Sequence, residues 1–251
     1  MSTIAIGGTV FACVFGGALL GIFLRAVLPD HHLSSESKDV VRLGTGLLAT
    51  MSALVLGLLI ASAKGSYDVK NSELTQMAAN VVLLDRVLAH YGPETKDARD
   101  LLRRSVARAL DLMWPTNGSR SAELNPAATG AEDLYENIQA LSSPTEAQRT
   151  LRAEALRIAV DLGRTRALLF AQSGSAIPLP FLGILVFWVA VIFVSFGLFA
   201  PRNATVVATL FVCALSVSGA IFLIVELDRP FQGFLRVSSA PLRTALASLG
   251  Q

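Results

Sequence analysis

Hydroxyl and apolar side chains share one face of the apolar stretch 43–63, at the spacing expected for an α-helix. Hydroxyl oxygens can help to solvate a permeating ion, and a ring of apolar side chains can close a pore by dewetting. Val55 and Leu59 would form that constriction, because each residue recurs once per subunit in a symmetric ring. The predicted pore-lining face comprises Thr45, Leu48, Ser52, Val55, Leu59 and Ser62.

Two lysines follow this stretch and could set the charge at its mouth. Lys64 and Lys70 would form a positive vestibule, which concentrates anions at the entrance of a pore. The competing interpretation is that Ser, Thr and Gly in this stretch only allow neighbouring helices to pack closely. The sequence leaves these two interpretations open.

Other residues that could carry chemistry do not form a recognisable site. The three histidines are His31, His32 and His90, and no cysteine or acidic partner stands near them at metal-ligand spacing. Cys13 and Cys213 both lie in apolar runs, where a free thiol behaves as a small hydrophobic group. The sequence contains no glycine-rich phosphate loop and no nucleophile elbow. We therefore expect no catalytic site, no metal and no cofactor.

The elements that carry these residues are four apolar runs, each long enough to span a bilayer as a helix. The chain is 53% hydrophobic and 16% charged. The runs extend from Ile4 to Leu28, from Leu43 to Ala63, from Pro180 to Ala200 and from Ala204 to Leu227. The first is too long for the apolar core of a signal peptide and has no basic residue before it. The sequence thus predicts an all-α integral membrane protein, with a helical domain inserted between the second and third spans.

The distribution of basic residues predicts the orientation. Four spans place both termini and the insert on one side. Lysines and arginines are more numerous on that side than on the other, so both termini and the insert are expected in the cytoplasm of a bacterial inner membrane. The net charge of +2 gives no reason to expect nucleic-acid binding. The predicted divisions are 1–63 for the first two spans, 64–177 for the cytoplasmic domain, 178–227 for the last two spans and 228–251 for a cytoplasmic tail.

The insert is expected to be helical almost throughout. The second span continues into a helix ending near Tyr91, with an apolar stripe of Leu74, Met77, Val81, Leu84, Leu88 and Tyr91. A helix to Trp114 should bury Ala98, Leu102, Ser105, Ala109 and Leu112. Residues 115–130 are predicted to form a flexible loop. A short helix over 131–141 follows, and a capping box from Ser143 to Glu146 then starts a helix that reaches Gln172.

Polar residues at the ends of the second and fourth spans are predicted to join the membrane region to the insert. Asp228 and Arg229 could pair with residues near Lys64, and Phe231 could dock an apolar side chain. Glu226 lies near enough to the membrane surface to reach water. The predicted junction comprises Tyr67, Asp68, Glu226, Asp228, Arg229 and Phe231.

Two sequence blocks resemble a bacterial membrane family described as bestrophin-like. The first runs from Leu59 to Asp68 and continues through Asn80 and Tyr91-Gly92-Pro93-Glu94. The second runs from Glu226 to Gly233. Bestrophins are oligomeric channels, mostly anion-selective, with cytosolic termini and a pore lined by the second span. This sequence departs from them in having no aromatic residues in that span and no dense acidic run like their calcium-binding segment.

The resemblance implies a homo-oligomeric channel for inorganic ions in the lipid bilayer, anion-conducting and by analogy pentameric. The alternative is a membrane-anchored interaction or sensor protein whose cytoplasmic domain binds a partner and conducts nothing. The sequence gives neither the permeant ion nor the gating signal.

Overall fold

The computed structural model describes residues 2–29, 34–114, 131–171, 177, 179–201, 203–229, 231 and 233–250. The predicted all-α class is confirmed, since these residues contain helices and no β-strand. A single 3-10 turn, Pro93–Thr95, separates the second and third helices. The helices are α1 (Thr3–Val27), α2 (Ser35–Tyr91), α3 (Lys96–Met113), α4 (Ala131–Gln139), α5 (Glu146–Ala171), α6 (Leu179–Phe199), α7 (Ala204–Leu227) and α8 (Ala240–Ser248).

Four helices, α1, α2, α6 and α7, are long and apolar enough to cross a membrane, as predicted. Their starts follow local capping chemistry. The Ser2 hydroxyl accepts the amide of Ala5 at 3.2 Å, and the Asn203 side chain accepts the amide of Val206 at 2.8 Å. The predicted extension of the second span into a helix ending at Tyr91 is also confirmed, because α2 is one helix of 57 residues.

The chain divides into two compact units. The membrane unit consists of Met1–Ser66 and Ser175–Leu235, and the insert unit consists of Tyr67–Gly174 and Arg236–Gln251. The helix α2 contributes residues to both units. Residues 236–251, predicted as a tail, belong to the insert unit.

The membrane unit is built on the close approach of α1 and α6. A Cβ atom added at Gly21 or Gly197 would collide with a backbone carbonyl of the other helix. Gly17 is also close, since a Cβ there would lie 3.1 Å from the Ala190 carbonyl oxygen. Small residues at positions 17 and 21 therefore allow the two helices to approach closely. Gly16 has no such role, because a Cβ there would meet nothing within 4 Å.

Aromatic and polar contacts complete this packing. The rings of Phe11 and Phe15 on α1 each meet Phe211 on α7 edge to face, with centroids 5.4 Å apart. The Arg25 guanidinium, near the end of α1, donates a hydrogen bond to the Ala200 carbonyl just after α6. A charged side chain at the membrane edge is thereby satisfied by the carbonyl end of a helix.

The insert unit buries the stripe that the sequence predicts on α2. All six residues of that stripe, from Leu74 to Tyr91, are buried. On α3, Ala98 and Leu102 are buried as predicted. The predicted Ser105, Ala109 and Leu112 are half-buried, and Val106, Leu110 and Met113 are the residues that are buried further along the helix. The helix α3 packs against both α4 and α8, and α8 inserts Leu242 and Ala245. These contacts rotate the buried face away from the one that the sequence of α3 predicts.

The predicted start of α5 needs a correction of two residues. The helix begins at Glu146, and Thr145 is its cap, since the Thr145 hydroxyl accepts the Gln148 amide at 3.2 Å. The Thr145 hydroxyl also donates to the Gln148 Oε1 at 3.0 Å, so these two side chains cap the start of the helix. Ser143 has another role, because its hydroxyl lies 3.0 Å from the Tyr91 hydroxyl. The loop predicted at 115–130 lies outside the described residues.

Candidate functional site

The sequence-predicted pore-lining face of α2 turns toward the core of its own membrane unit. Leu59 is buried in the apolar core, and Val55 packs against it. Ser52 is buried as well, while Thr45 and Leu48 are half-buried and Ser62 is exposed. In the single chain this face is therefore largely covered by the chain's own helices. Its role in lining a pore between subunits stays a prediction, because a single chain contains no such pore.

A different face of α2 is apolar and uncovered. Leu43, Leu47, Leu54 and Leu58 follow each other at helical spacing and are 64–76% exposed. A Cβ atom added at Gly44, Gly57 or Gly65 would have no neighbouring atom within 4 Å. We call Leu43, Leu47, Leu54 and Leu58 the outer leucine face. A soluble protein would not leave four leucines on one helix face in water, so this face meets lipid or another copy of the chain.

The three hydroxyl groups of the predicted pore-lining face differ in whether they are already hydrogen-bonded. The Thr45 hydroxyl donates to the Val41 carbonyl at 2.7 Å and is satisfied within the helix. The Ser52 hydroxyl is buried and has no hydrogen-bond partner among the described residues. The exposed Ser62 lies at the end of the apolar stretch. Of the three, only Ser52 holds a buried and unused hydrogen-bonding group.

The two predicted vestibule lysines are placed differently. Lys64 is exposed, directly after the apolar stretch. Lys70 is only 2% exposed. Of these two lysines, only Lys64 is therefore exposed to solvent at the end of the span.

The predicted junction residues sit where the two units divide in the sequence. The division falls between Ser66 and Tyr67 and again between Leu235 and Arg236. Tyr67, Arg229 and Phe231 are half-buried, Asp68 is exposed, and Asp228 is buried. The expected pairing of Asp228 and Arg229 with residues near Lys64 stays a prediction.

Glu226 departs from the prediction, because it is fully buried and does not reach water. Its Oε1 accepts hydrogen bonds from the amides of Phe234 and Leu235, the latter at 3.4 Å. The turn that supplies these amides requires Gly233, whose φ is +87° and whose Cβ position would overlap the Glu226 carboxylate. The carboxylate at the end of α7 therefore organises the following turn, and its Oε2 has no partner among the described residues.

A buried ion pair in the insert unit escapes the sequence reasoning. Asp85 is 4% exposed and accepts two hydrogen bonds from the Arg99 guanidinium, at 2.7 and 2.9 Å. It also accepts the Gly250 amide at 3.2 Å, which ties the end of the chain to α2. The available signal was the position of Asp85 on the apolar stripe, where a carboxylate needs a partner. A cavity of about 270 Å³ adjoins this group.

The surroundings of Asp85 act on its pKa in opposite directions. Burial raises the pKa of the carboxyl, because it disfavours the charged form. The hydrogen bonds from Arg99 and Gly250, together with the Arg99 charge, lower it by more. The net pKa of Asp85 lies below its ordinary value, and the pKa of Arg99 is raised by its hydrogen bonds to Asp85.

The described part of the chain contains no group of three or more histidine, cysteine or acidic side chains placed to hold a metal ion. His90 is exposed. The other two histidines, His31 and His32, lie outside the described residues.

Comparison with known proteins places the chain in a family. The family model of the bestrophin-like domain matches residues 12–242, which extend from within α1 to the start of α8. No curated protein and no solved structure shows a significant match to the chain. With four helices able to cross a membrane and a family match over most of its length, the chain is a membrane protein that belongs to the bestrophin-like family.

Proposed function

We propose that this protein is an oligomeric ion channel in which α2 lines the pore. The observation that carries the proposal is the position of α2 in the membrane unit. In its most apolar stretch 17% of the residues are buried, compared with 28% to 33% in the other three spans. A helix that surrounds an axis shared by several copies must lie at the edge of each subunit, and α2 is the least covered of the four.

The pore face in this proposal is the outer leucine face. Ring symmetry repeats each residue once per subunit, so one leucine per chain forms a complete apolar collar. Leu54 and Leu58 are 70% and 68% exposed, whereas Leu59 is 7% exposed. A collar of Leu54 and Leu58 would close by dewetting and open when the helices move apart. The sequence-predicted face around Leu59 is the alternative, and it would require α2 to rotate out of its own core.

The proposed permeant ions are inorganic anions. Lys64 is exposed immediately after the span, and its repetition would form a ring of positive charge at the pore mouth. The ring of five copies is proposed from the resemblance to bestrophins. We place the protein in the inner membrane with both termini in the cytoplasm, on the excess of basic residues at that end of the spans. The proposal includes neither an enzymatic activity nor a cofactor.

Adjacent leucines on α2 allow a sharp test in planar bilayers. The purified protein, Leu58→Ser and Leu59→Ser are compared in asymmetric chloride and potassium salts. We expect discrete currents whose reversal potential follows the chloride gradient. Leu58→Ser should raise the open probability at least several-fold, because a hydroxyl removes the dewetting barrier. Leu59→Ser should mainly lower thermal stability, because Leu59 lies in the apolar core.

Silence from all three proteins, each shown to be folded and oligomeric, would overturn the channel proposal. The membrane-anchored interaction protein would then be the better account. Currents that respond to Leu59→Ser and not to Leu58→Ser would keep the channel and move its pore to the sequence-predicted face.

A further inference from the structure

A large cavity opens in the membrane unit, where α2 begins and α6 ends. Its volume is about 750 Å³. Lys38, Arg42 and Thr45 of α2 line one wall at helical spacing. The other wall is formed by Phe196 and Phe199 of α6 and by Leu210 of α7.

The lining changes from charged to apolar along the direction of the helices. Lys38 and Arg42 are exposed, and both precede the outer leucine face, which starts at Leu43. Phe196 and Phe199 occupy the last turn of α6, at the same end of the span. The cations therefore lie on the water side of the cavity and the phenylalanines on the hydrocarbon side. This is the polarity of a lipid molecule at a membrane surface.

The two cations of this lining have unused bonding capacity, whereas two of its hydroxyl groups are already hydrogen-bonded within their helices. The Thr45 hydroxyl donates to Val41, and the Ser195 hydroxyl donates to the Val191 carbonyl at 3.0 Å. Among the described residues, neither Lys38 nor Arg42 lies within 4.0 Å of a carboxylate oxygen. One carboxylate, Asp39, lines the cavity beside the two cations, so the charged rim has a net positive charge. The complementary ligand is an anion with an apolar body.

We propose that this cavity binds an anionic glycerophospholipid. Its phosphate lies between the Lys38 ammonium and the Arg42 guanidinium, and its first acyl carbons lie against Phe196 and Phe199. Cationic side chains near a membrane surface attract anionic lipid headgroups. The volume is within the range of about 300–1,000 Å³ that small-molecule sites occupy. The site is separate from the proposed pore and does not depend on conduction.

The test compares lipid binding by the full-length protein and its charge variants. Native mass spectrometry counts bound phosphatidylglycerol and phosphatidylcholine of equal chain length at equal concentration. We expect the unaltered protein to prefer phosphatidylglycerol. The double variant Lys38→Gln/Arg42→Gln should lose about thirtyfold of that preference, since two interfacial cations are removed. Lys38→Arg/Arg42→Lys keeps both charges and should retain most of it.

A matched control removes two cations elsewhere at the same spacing. Arg104 and Arg108 are exposed on α3 in the insert unit, four residues apart. Arg104→Gln/Arg108→Gln should leave the lipid preference unchanged. An equal loss in this control would overturn the proposal, because the effect would then come from net charge.

Two further outcomes would also overturn it. If glycerol 3-phosphate displaces phosphatidylglycerol at equal concentration, the site takes a free phosphate and has no need of a lipid. If the unaltered protein shows no lipid preference and Lys38→Gln/Arg42→Gln changes the number of subunits, a second copy of the chain covers the cavity. Thermal unfolding of each variant in the same detergent identifies loss of folding separately.

Discussion

The two halves of α2 belong to one continuous helix but lie in different surroundings. In the insert unit Leu74, Leu84 and Leu88 are fully buried. In the membrane unit Leu54 and Leu58 are about 70% exposed, although Leu59 beside them is buried. The second half follows the rule for a protein in water, with one apolar face turned inward. The first half has apolar residues on every side, which is stable only where hydrocarbon or another apolar surface covers the outer face.

The two units also use different forces around this helix. The membrane unit brings backbones together at glycines, because burying apolar side chains gains little when lipid is equally apolar. The insert unit relies on an apolar stripe and adds the buried Asp85–Arg99 pair. The two units therefore pack differently because different solvents surround them.

The largest effect is expected from shortening leucines in the two halves. Leu84→Ala leaves a cavity in the insert core and should cost about 2–5 kcal/mol of stability. Leu54→Ala is the matched change on the outer leucine face and should cost less than about 0.5 kcal/mol. Each of the two tryptophans lies in a different unit, so Trp188→Phe leaves Trp114 to report on the insert. Equal losses of stability in thermal unfolding would remove the distinction between the halves.

The next effect tests the backbone contact of the membrane unit. Gly21→Val places a branched side chain against the Val194 carbonyl and should cost about 3 kcal/mol, because the backbone of α6 must move. Gly16→Val is the control, since nothing lies within 4 Å of its Cβ position. In a Trp114→Phe background, Trp188 fluorescence follows unfolding of the membrane unit. If Gly16→Val lowered the stability of the membrane unit as much as Gly21→Val, the close contact of α1 and α6 at Gly21 would not explain the effect.

The buried ion pair should make the insert sensitive to acid. Asp85→Asn should cost about 2 kcal/mol at neutral pH, because it weakens a charged hydrogen bond inside the unit. The pKa of Asp85 is lowered by folding, so its contribution is fully present above the ordinary carboxyl value of about pH 4. This contribution to stability is lost as the pH falls through the lower pKa that Asp85 has in the folded protein.

The measurement is the unfolding temperature of the insert between pH 6 and pH 2.5, in the unaltered protein and in Asp85→Asn. The two curves should converge below about pH 4. Curves that stay parallel over this range would show that Asp85 does not carry the effect.

A smaller effect should follow from the turn after α7. Gly233→Ala forces a side chain into a left-handed conformation and against the Glu226 carboxylate, which should cost about 1–2 kcal/mol. Gly250→Ala is a comparison with the same φ of +87° and no neighbouring atoms. If both changes lower the stability equally, backbone strain accounts for the loss and the contact with the Glu226 carboxylate contributes nothing to it.

The smallest effect is expected on the surface of α5. Arg157 bridges Glu154 at 2.6 Å and Asp161 at 3.3 Å, but these side chains are 41–60% exposed. Arg157→Ala should leave the unfolding temperature of the insert unchanged within error, because exposed ion pairs contribute little. A clear loss would mean that the surface of α5 is covered in the assembled protein.

Hydropathy and periodicity were enough to predict the membrane spans and the buried stripe of α2. They could not orient the first half of α2, because Leu58 and Leu59 are chemically identical and every face there is apolar. The buried face of α3 depends on α8, more than a hundred residues later in the chain. The ion pair of Asp85 also depends on a distant segment, because Asp85 accepts a hydrogen bond from the amide of Gly250. Contacts between distant segments leave no periodic signal in either one.

If α2 faces the pore of an assembled channel through its outer leucine face, residues on that face must be accessible to water. Single cysteines replace Leu54, Leu58, Leu59 or Leu83 in a protein whose Cys13 and Cys213 have been changed to serine. A charged maleimide is applied to the oligomer in open membranes. We predict labelling at 54 or 58 and at the water-exposed control 83, with 59 protected. Labelling at 83 alone would contradict this position of α2, because the outer leucine face would then meet only lipid or protein.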